Sequence, residues 1–325
     1  GGISGNSNKI TMVTLPGNPI PSAATSITAT GFTANWNSTA SATGYKLDVS
    51  TTSDFLSPVG VYNNLNVSNV TSYPVTGLTA NTTYYFQVKA YNGSGTGGNS
   101  AYITVLTAPA APTTLAASPV TVSGFTAKWN SSAGATGYYL DVSTVPGFAS
   151  FVSGFNSLDV GNVTSYLTSG LSAGSTYYYR LTAYSTASPS DYSDVRTVVT
   201  LPAAPVATPA TAVTATSFTA NWGASPSATG YRIDVASDAL FTSLLGSYND
   251  IDVGNVLSKS VTVLTSGNTY YYRISAYNAS GTNGNSNVIS VTTIPPAPVE
   301  QAATSITSNG FAANWNAASG ATGYK

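Results

Sequence analysis

One stretch of sequence returns at a fixed interval along the whole chain. It reads GFTANWNSTASATGYKLDV at residues 31–49, and its Trp and Tyr positions recur 93 residues apart. The Trp positions are Trp36, Trp129, Trp222 and Trp315, and the Tyr positions are Tyr45, Tyr138, Tyr231 and Tyr324. Self-similarity at a fixed period indicates a tandem array of structural repeats.

The recurring stretch has the pattern of two strands joined by a loop. Phe32, Ala34 and Trp36 alternate with polar residues, and the alternation resumes from Tyr45 to Val49. A period of two places one apolar and one polar face on each strand. Between the strands, residues 37–44 are rich in Ser, Thr, Ala and Gly, which is the composition of a turn. The stretch therefore predicts strand, loop, strand.

Composition removes several classes of function. Charged residues are 6% of the chain, against roughly 25% in ordinary soluble domains, and the formal net charge is -1. Ten Lys and Arg over 325 residues cannot form the basic stripe that phosphate backbones require, so nucleic acid is not an expected partner. The sequence contains no run of 18 apolar residues, so we expect no membrane span within it.

The period divides the chain into whole repeats and two pieces. Residues 16–108, 109–201 and 202–294 are three full repeats, residues 1–15 align with the last strand of a preceding repeat, and residues 295–325 align with the N-terminal part of a further one. The two pieces together lack the equivalents of residues 47–93, so they cannot complete one domain between them. This favours a window from a longer array over a strand-swapped polymer, in which an exchanged element completes its partner.

Each boundary carries a pair of prolines in the pattern P-x-x-P, as at Pro109 and Pro112. Proline fixes φ and donates no hydrogen bond, so the pattern suits an extended linker entering an edge strand. A polyproline ligand has the same pattern, but recurrence at every boundary favours the linker. We expect short, stiff joints.

The order of these features resembles the fibronectin type III domain. The matching motifs are a Pro-rich entry, the Trp of GFTANW, the Tyr of GYKLDV, and GLTANTTYYFQVKAYN at residues 77–92, which returns in both later repeats. The resemblance implies an all-β fold: a tandem array of seven-stranded antiparallel Ig-like sandwiches without disulfides. It also implies that Tyr84, Tyr177 and Tyr270 are tyrosine-corner residues bonded to nearby backbone. The low content of charged residues is similar to that of repeats in large bacterial secreted or cell-surface proteins.

Catalytic, cofactor and metal residues are not indicated. The chain contains no His and no Cys, which closes most routes to acid–base or nucleophilic catalysis. Asp48, Asp141 and Asp234 recur on the second strand of the stretch and should point to solvent, paired with cations such as Arg180 or Arg273. Asp159-Val-Gly-Asn162 and its equivalent offer calcium-type oxygens, but a turn-forming role is favoured.

Tyrosines on one side of the strand at residues 83–92 are the candidate contact face. The set should be exposed on the outer face of the sheet, beside Lys46, Tyr139 or Arg232, and comprises Tyr85, Tyr91, Tyr178, Tyr184, Tyr271 and Tyr277. One interpretation is cross-strand packing, since Tyr is a good strand residue. The alternative is a repeated surface that stacks on sugars or on a neighbouring array.

These observations lead to one main hypothesis and one alternative. The main one is a structural, non-catalytic array that forms a rod, stalk or filament body outside the cell or at its surface, with copies of itself as the expected partner. Near-zero net charge removes the repulsion that keeps soluble domains apart. The alternative is a set of glycan-binding, adhesin-type or spacer modules of a large secreted protein or enzyme, with surface glycans as partners.

Overall fold

The computed structural model describes residues 12–325. Within that range the regular structure is β-strand, apart from one turn of 3-10 helix at Gly246–Tyr248. No helix there is long and apolar enough to cross a membrane. The predicted strand of a preceding repeat at residues 1–15 lies largely outside the described residues, and residues 12–15 have no regular structure.

The first repeat is a sandwich of two antiparallel sheets. We letter its strands A to G in chain order, with a short C′ after C. One sheet has the order A-B-E and the other C′-C-F-G, with G broken into two segments that both pair with F. The strands are A, β1 (Pro21–Thr25); B, β2 (Gly31–Trp36); C, β3 (Gly44–Ser50); C′, β4 (Leu65–Asn66); E, β5 (Ser72–Thr76); F, β6 (Thr83–Asn92); and G, β7 (Gly95–Asn99) with β8 (Ile103–Leu106).

The second repeat has the same strand order with an unbroken G strand. Its sheets are A-B-E and C′-C-F-G. The strands are A, β9 (Thr114–Leu115); B, β10 (Phe125–Trp129); C, β11 (Gly137–Ser143); C′, β12 (Leu158–Gly161); E, β13 (Ser165–Thr168); F, β14 (Thr176–Tyr184); and G, β15 (Arg196–Val199).

The third repeat returns to the broken G strand, and a two-stranded hairpin follows it. The strands are A, β16 (Ala207–Thr211); B, β17 (Phe218–Trp222); C, β18 (Gly230–Ala236); C′, β19 (Ile251–Gly254); E, β20 (Ser258–Val261); F, β21 (Thr269–Asn278); and G, β22 (Gly281–Thr282) with β23 (Ile289–Thr292). The final hairpin is β24 (Glu300–Thr304) with β25 (Ala312–Trp315), antiparallel like A and B.

The predicted alternation holds on strand B. Phe32, Ala34 and Trp36 are buried while Thr33 and Asn35 are half-buried. Trp36 packs on the strand C tyrosine with ring centroids 5.7 Å apart, and the pairing recurs at 5.6 Å in the second repeat and 5.9 Å in the third. The three Trp residues of the full repeats are 3%, 1% and 4% exposed, which confirms their predicted place in the core.

The chain divides into two compact units, and the second repeat contributes to both. The first unit runs to Ala116 and adds Lys128–Tyr166 and Tyr178–Arg196. The second unit comprises Ala117–Ala127, Leu167–Tyr177 and Thr197–Lys325. Each contact between successive repeats described below lies within one of these units.

Candidate functional site

The predicted tyrosine face lies on the outer side of the sheet that holds strands C and F. In the first repeat Tyr85 stands opposite Ser50 and Tyr91 opposite Gly44, and the later repeats keep this register. The expectation of an exposed set is wrong, because all six side chains are half-buried: Tyr85, Tyr91, Tyr178, Tyr184, Tyr271 and Tyr277.

The second tyrosine of each pair covers a glycine on strand C. A Cβ at Gly44 would lie 2.4 Å from the Cζ of Tyr91. The other two pairs are Tyr184 on Gly137 and Tyr277 on Gly230. These rings therefore cover strand C backbone that has no side chain of its own, and glycine is required there because any side chain would displace the ring. This favours the packing interpretation for these positions.

The hydroxyl of the same tyrosine is bonded to strand C′. Tyr91 donates to Asn66 at 3.1 Å, Tyr184 to Asp159 at 2.9 Å, and Tyr277 to Asp252 at 3.1 Å. The hydrogen bond to the carboxylate raises the pKa of Tyr184, and that of Tyr277, above the ordinary value for tyrosine. A hydroxyl already bound within its own repeat is less available to a ligand.

The carboxylates on strand C′ also shape their own turns. Asp159 accepts the backbone N–H of Gly161 at 2.9 Å, and Asp252 accepts that of Gly254 at 2.8 Å. Both glycines have positive φ, 71° and 70°. The turn-forming interpretation of this segment is confirmed.

The expectation that the strand C aspartates point to solvent is wrong, although their cation partners were correct. Asp48 is 7% exposed and Asp141 3%. The ion pairs are Lys89 with Asp48 at 3.0 Å, Arg180 with Asp141 at 2.9 Å, and Arg273 with Asp234 at 2.8 Å. A second oxygen of Asp141 accepts the N–H of Ser157 at 2.7 Å, so the loop after strand C closes over the carboxylate.

An aromatic ring from that loop covers the cation in the later repeats. Phe148 lies 4.1 Å from the guanidinium carbon of Arg180, and Phe241 lies 4.2 Å from that of Arg273. Phe55, Phe148 and Phe241 have φ of 59°, 54° and 60°, a conformation that costs a residue with a Cβ about 1–2 kcal/mol. The shared φ values show that the loop keeps the same backbone conformation at this residue in all three repeats.

Two exposed aromatic residues lie beside the face at positions that the repeat pattern did not indicate. Tyr102 is 49% exposed and packs edge-on against Tyr85 at 5.4 Å, and Tyr192 is 54% exposed with its ring 3.5 Å from Arg180. They belong to the variable region around strand G, where the periodic signal is weak. Self-association through this face stays a prediction; sedimentation of the chain with Tyr85, Tyr178 and Tyr271 changed to Ser would test it.

A second candidate site lies where successive repeats meet. The first joint follows residue 108, the second residue 201 and the third residue 294. At each joint the E–F turn of one repeat contacts the B–C loop of the next, and the B–C residue at the contact has positive φ. The contacting pairs are Asn81 with Gly134, Gly174 with Ser227, and Gly267 with Gly320.

The two sides of this contact compensate in size. At the first joint the Asn81 side chain occupies the place of a Cβ on Gly134, with its Cγ 1.9 Å from that position. At the second joint the side chain is on the other side: Ser227 donates to the Gly174 carbonyl, and a Cβ on Gly174 would lie 2.3 Å from the Pro226 oxygen. Each joint has room for one side chain at most.

Tyrosine hydroxyls hold both sides of the joint. On the B–C loop, Tyr138 accepts the N–H of Ser132 at 2.8 Å, and Tyr231 accepts that of Ser225 at 2.9 Å. On the E–F turn, the tyrosine corner predicted by the resemblance is confirmed. Its bonds run from Thr79 to Tyr84, from Ser172 to Tyr177 and from Thr265 to Tyr270, each at 2.9 Å. The loops in contact are therefore fixed to the cores of their own repeats.

The described residues do not present a metal site. Across residues 12–325 no group of three or more Asp, Glu, His or Cys is placed to hold an ion. The strand C aspartates are bound to cations of the same repeat.

Sheet order, tyrosine corner and buried Trp define the class of immunoglobulin-like β-sandwiches. Residues 18–106 match the family described as Fibronectin type III domain, and this segment is a fibronectin type III domain. The 93-residue period repeats the same strand order in the second and third repeats. A fold of this class is typically a non-catalytic module.

Three curated proteins share part of the sequence. A Kelch domain-containing protein of Sulfurisphaera tokodaii is 32% identical over 40% of this chain and 18% of its own length. A Kelch domain-containing protein of Saccharolobus solfataricus is 36% identical over 28% of this chain and 12% of its own. Chitinase A1 of Niallia circulans is 31% identical over 52% of this chain and 24% of its own. The matched regions span at most about a quarter of these relatives.

The chain also has partial similarity to a solved structure. The crystal structure of chicken CNTN1 FN1-FN3 domains covers 86% of this chain and 99% of its own, with 20% identity and a TM-score of 0.34.

Proposed function

We propose that the chain is a structural, non-catalytic repeat array that forms a rod, stalk or filament body outside the cell. The observation that carries the proposal is the contact between the E–F turn and the B–C loop, which recurs at all three joints, with the two sides compensating in size at the first and second joints. A flexible string of independent domains needs no such compensation. Similarity to Chitinase A1 supports the extracellular setting.

The joint contact fits a load-bearing spacer because it is anchored on both sides. Tyrosine hydroxyls tie each loop to its own core, as Tyr138 does for the B–C loop of the second repeat and Tyr84 for the E–F turn of the first. Loops held in this way lose little further conformational entropy when they meet. The prolines of the P-x-x-P linkers fix φ and so stiffen the connection between repeats.

Small-angle scattering of the whole chain tests the proposal. A ten-residue F strand at about 3.3 Å per residue gives repeats about 33 Å long, so three in line make a particle about 100 Å long with a radius of gyration near 30 Å. A compact particle of this chain length has a radius of gyration of about 20 Å. A value near the compact figure would contradict the spacer function.

The 31% identity to part of Chitinase A1 supports a second candidate, a glycan-binding or spacer module of a secreted enzyme. The half-exposed Tyr192 beside Arg180 offers a ring for a sugar to stack on. Retention of the whole chain on insoluble chitin, lost on Tyr192→Ala, would favour glycan binding. A chain that acts only as a spacer should not be retained on chitin.

A further inference from the structure

The second joint carries hydrogen bonds besides the loop contact, and they come from the F–G hairpin of the third repeat. Asn278 Nδ2 donates to the Thr200 carbonyl at 2.9 Å, and Ser280 Oγ donates to the Val199 carbonyl at 2.6 Å. Within the third repeat, Asn283 Nδ2 donates to the carbonyl of Pro202 in the linker at 2.9 Å. Asn278 is 8% exposed, so its bond is shielded from competing water.

The hairpin is shaped to make these bonds. Asn278 Oδ1 accepts the N–H of Ser280 at 2.9 Å, which orients the amide so that its Nδ2 faces the preceding repeat. We refer to Asn278 and Ser280, with their equivalents, as the hairpin clamp.

The same clamp occurs in the first repeat, on the segment that precedes it. Asn92 donates to the Thr14 carbonyl at 2.7 Å, and Ser94 donates to the Val13 carbonyl at 2.5 Å. Asn92 Oδ1 accepts the N–H of Ser94 at 2.8 Å. These residues lie 186 positions before Asn278 and Ser280, which is two repeat lengths. The clamp is therefore a recurring device of the first and third repeats.

The second repeat lacks the clamp. Ser185 and Ala187 stand at the positions of Asn92 and Ser94. Ser185 Oγ still accepts the N–H of Ala187 at 3.2 Å, so the turn is kept, but serine is too short to reach across and alanine has no donor. Across residues 12–325 no hydrogen bond joins this hairpin to the end of the first repeat. Instead, Thr186 and Ala187 line an open groove with Ile103–Leu106.

We infer that the array has a hinge at the first joint and a clamped joint at the second. Both joints have the same P-x-x-P linker, from Pro109 to Pro112 and from Pro202 to Pro205, so linker stiffness does not separate them. Both also have the loop contact. The difference is the clamp, whose hydrogen bonds tie the F–G hairpin of the third repeat to Val199 and Thr200 at the end of the second repeat and so resist bending of the joint. The first joint pivots on its loop contact.

Pulsed spin-label distance measurements on the whole chain test the hinge. The chain has no cysteine, so single introduced cysteines label specifically. Ser72, Ser165 and Ser258 are equivalent, exposed and at the start of strand E in each repeat. We expect a broader distance distribution for the pair Ser72→Cys with Ser165→Cys than for Ser165→Cys with Ser258→Cys. Equal widths would overturn the inference.

Exchanging the clamp residues between repeats tests whether the clamp causes the difference in width between the two distance distributions. Ser185→Asn with Ala187→Ser should narrow the distribution across the first joint, and Asn278→Ser with Ser280→Ala should broaden that across the second. Ser280→Ala alone removes one clamp bond with minimal effect on folding and should broaden the second distribution less. If none of these changes alters either width, the clamp is not the cause and the inference fails.

The inference rests on the proposed spacer function, and the two can fail separately. A compact scattering profile would contradict the spacer. Distance distributions of equal width across the two joints, in a particle that scattering shows to be extended, would overturn the hinge and leave the proposed spacer function standing. Trp fluorescence of each variant controls for folding, because the Trp residues lie in the repeat cores and distant from the clamp in sequence.

Discussion

The first and second joints share a linker and a loop contact but differ in what else holds them. Three side-chain hydrogen bonds cross the second joint, from Ser227, Asn278 and Ser280. In the described part of the chain the first joint has the packing of Asn81 on Gly134 without such bonds. A neutral hydrogen bond contributes about 0.5–1.5 kcal/mol net. The comparison shows that repeats with the same strand order can be joined by different sets of hydrogen bonds through changes at a few positions.

The largest expected effect comes from destabilising the second repeat, which takes part in both joints. Trp129 is 1% exposed and packs on Tyr138, so Trp129→Ala should destabilise the second repeat by about 3–5 kcal/mol. Where that repeat unfolds, both joints lose their contacts, and the difference in width between the two label distance distributions should vanish. Denaturant melts of the whole chain measure the loss. A loss below about 1 kcal/mol would contradict the core assignment.

The loop contact of the first joint can be broken and then rebuilt in the form found at the second. Gly134 has φ of 75°, so Gly134→Ser alone should cost about 1–2 kcal/mol and displace Asn81. Adding Asn81→Gly recreates the Gly174 and Ser227 arrangement and should recover the part of the loss due to displacement. A double-mutant cycle measured by denaturant melts isolates this coupling. Strict additivity of the two changes would show that the contact is not formed.

The third repeat, which follows the second joint, contains a residue with a strained backbone. Relieving that strain changes the stability of this repeat without touching the clamp. Val263 is 93% exposed with φ of 60°, where the first two repeats have Gly77 and Gly170 at φ of 74° and 73°. Val263→Gly relieves about 1–2 kcal/mol of backbone strain and gives back about 0.4–1 kcal/mol through unfolded-chain entropy. We expect a net stabilisation of up to about 1.6 kcal/mol in melts. Gly170→Val is the matched control and should destabilise by a similar amount.

Loss of a loop anchor should affect the two joints unequally. Tyr138→Phe removes the acceptor for the Ser132 N–H, and Tyr231→Phe does the same for Ser225, each at a cost of about 1 kcal/mol. The first joint depends on its loop, so the change at Tyr138 should broaden the label distribution there. The second joint keeps its clamp bonds, so the change at Tyr231 should leave its width nearly unchanged. Equal broadening at both would show that the clamp adds no stiffness.

The sequence predicted the strands and core because alternation on a sandwich is a local signal, as in Phe32, Ala34 and Trp36. It did not predict the burial of Asp141, because alternation gives the direction of a side chain and not what folds over it. The contact between loops at the joint could not be predicted from the sequence for a similar reason. Gly134 lies in a loop that reads as ordinary turn composition, and its relation to Asn81 emerges when two loops 53 residues apart are brought together.

The smallest expected effect concerns pH, and it separates the stability of a repeat from the stiffness of its joint. The N–H of Gly254 and the hydroxyl of Tyr277 hold the pKa of Asp252 below its ordinary value. The folded state therefore favours the carboxylate, so this contribution to stability is present above about pH 4 and is lost as pH falls through the folded pKa.

Asparagine occupies the same place in the first repeat, where Asn66 accepts the N–H of Ser68 at 2.9 Å. Asp252→Asn should thus keep the turn and reduce the loss of stability between pH 7 and about pH 3, which melts at both pH values would measure. An unchanged acid sensitivity would show that Asp252 is not its source. The clamp bonds join neutral groups, Asn278 and Ser280 to backbone carbonyls. The two joints should therefore keep their unequal label widths over the same range, because titration of Asp252 changes how firmly the third repeat is folded and not how it is held to the second.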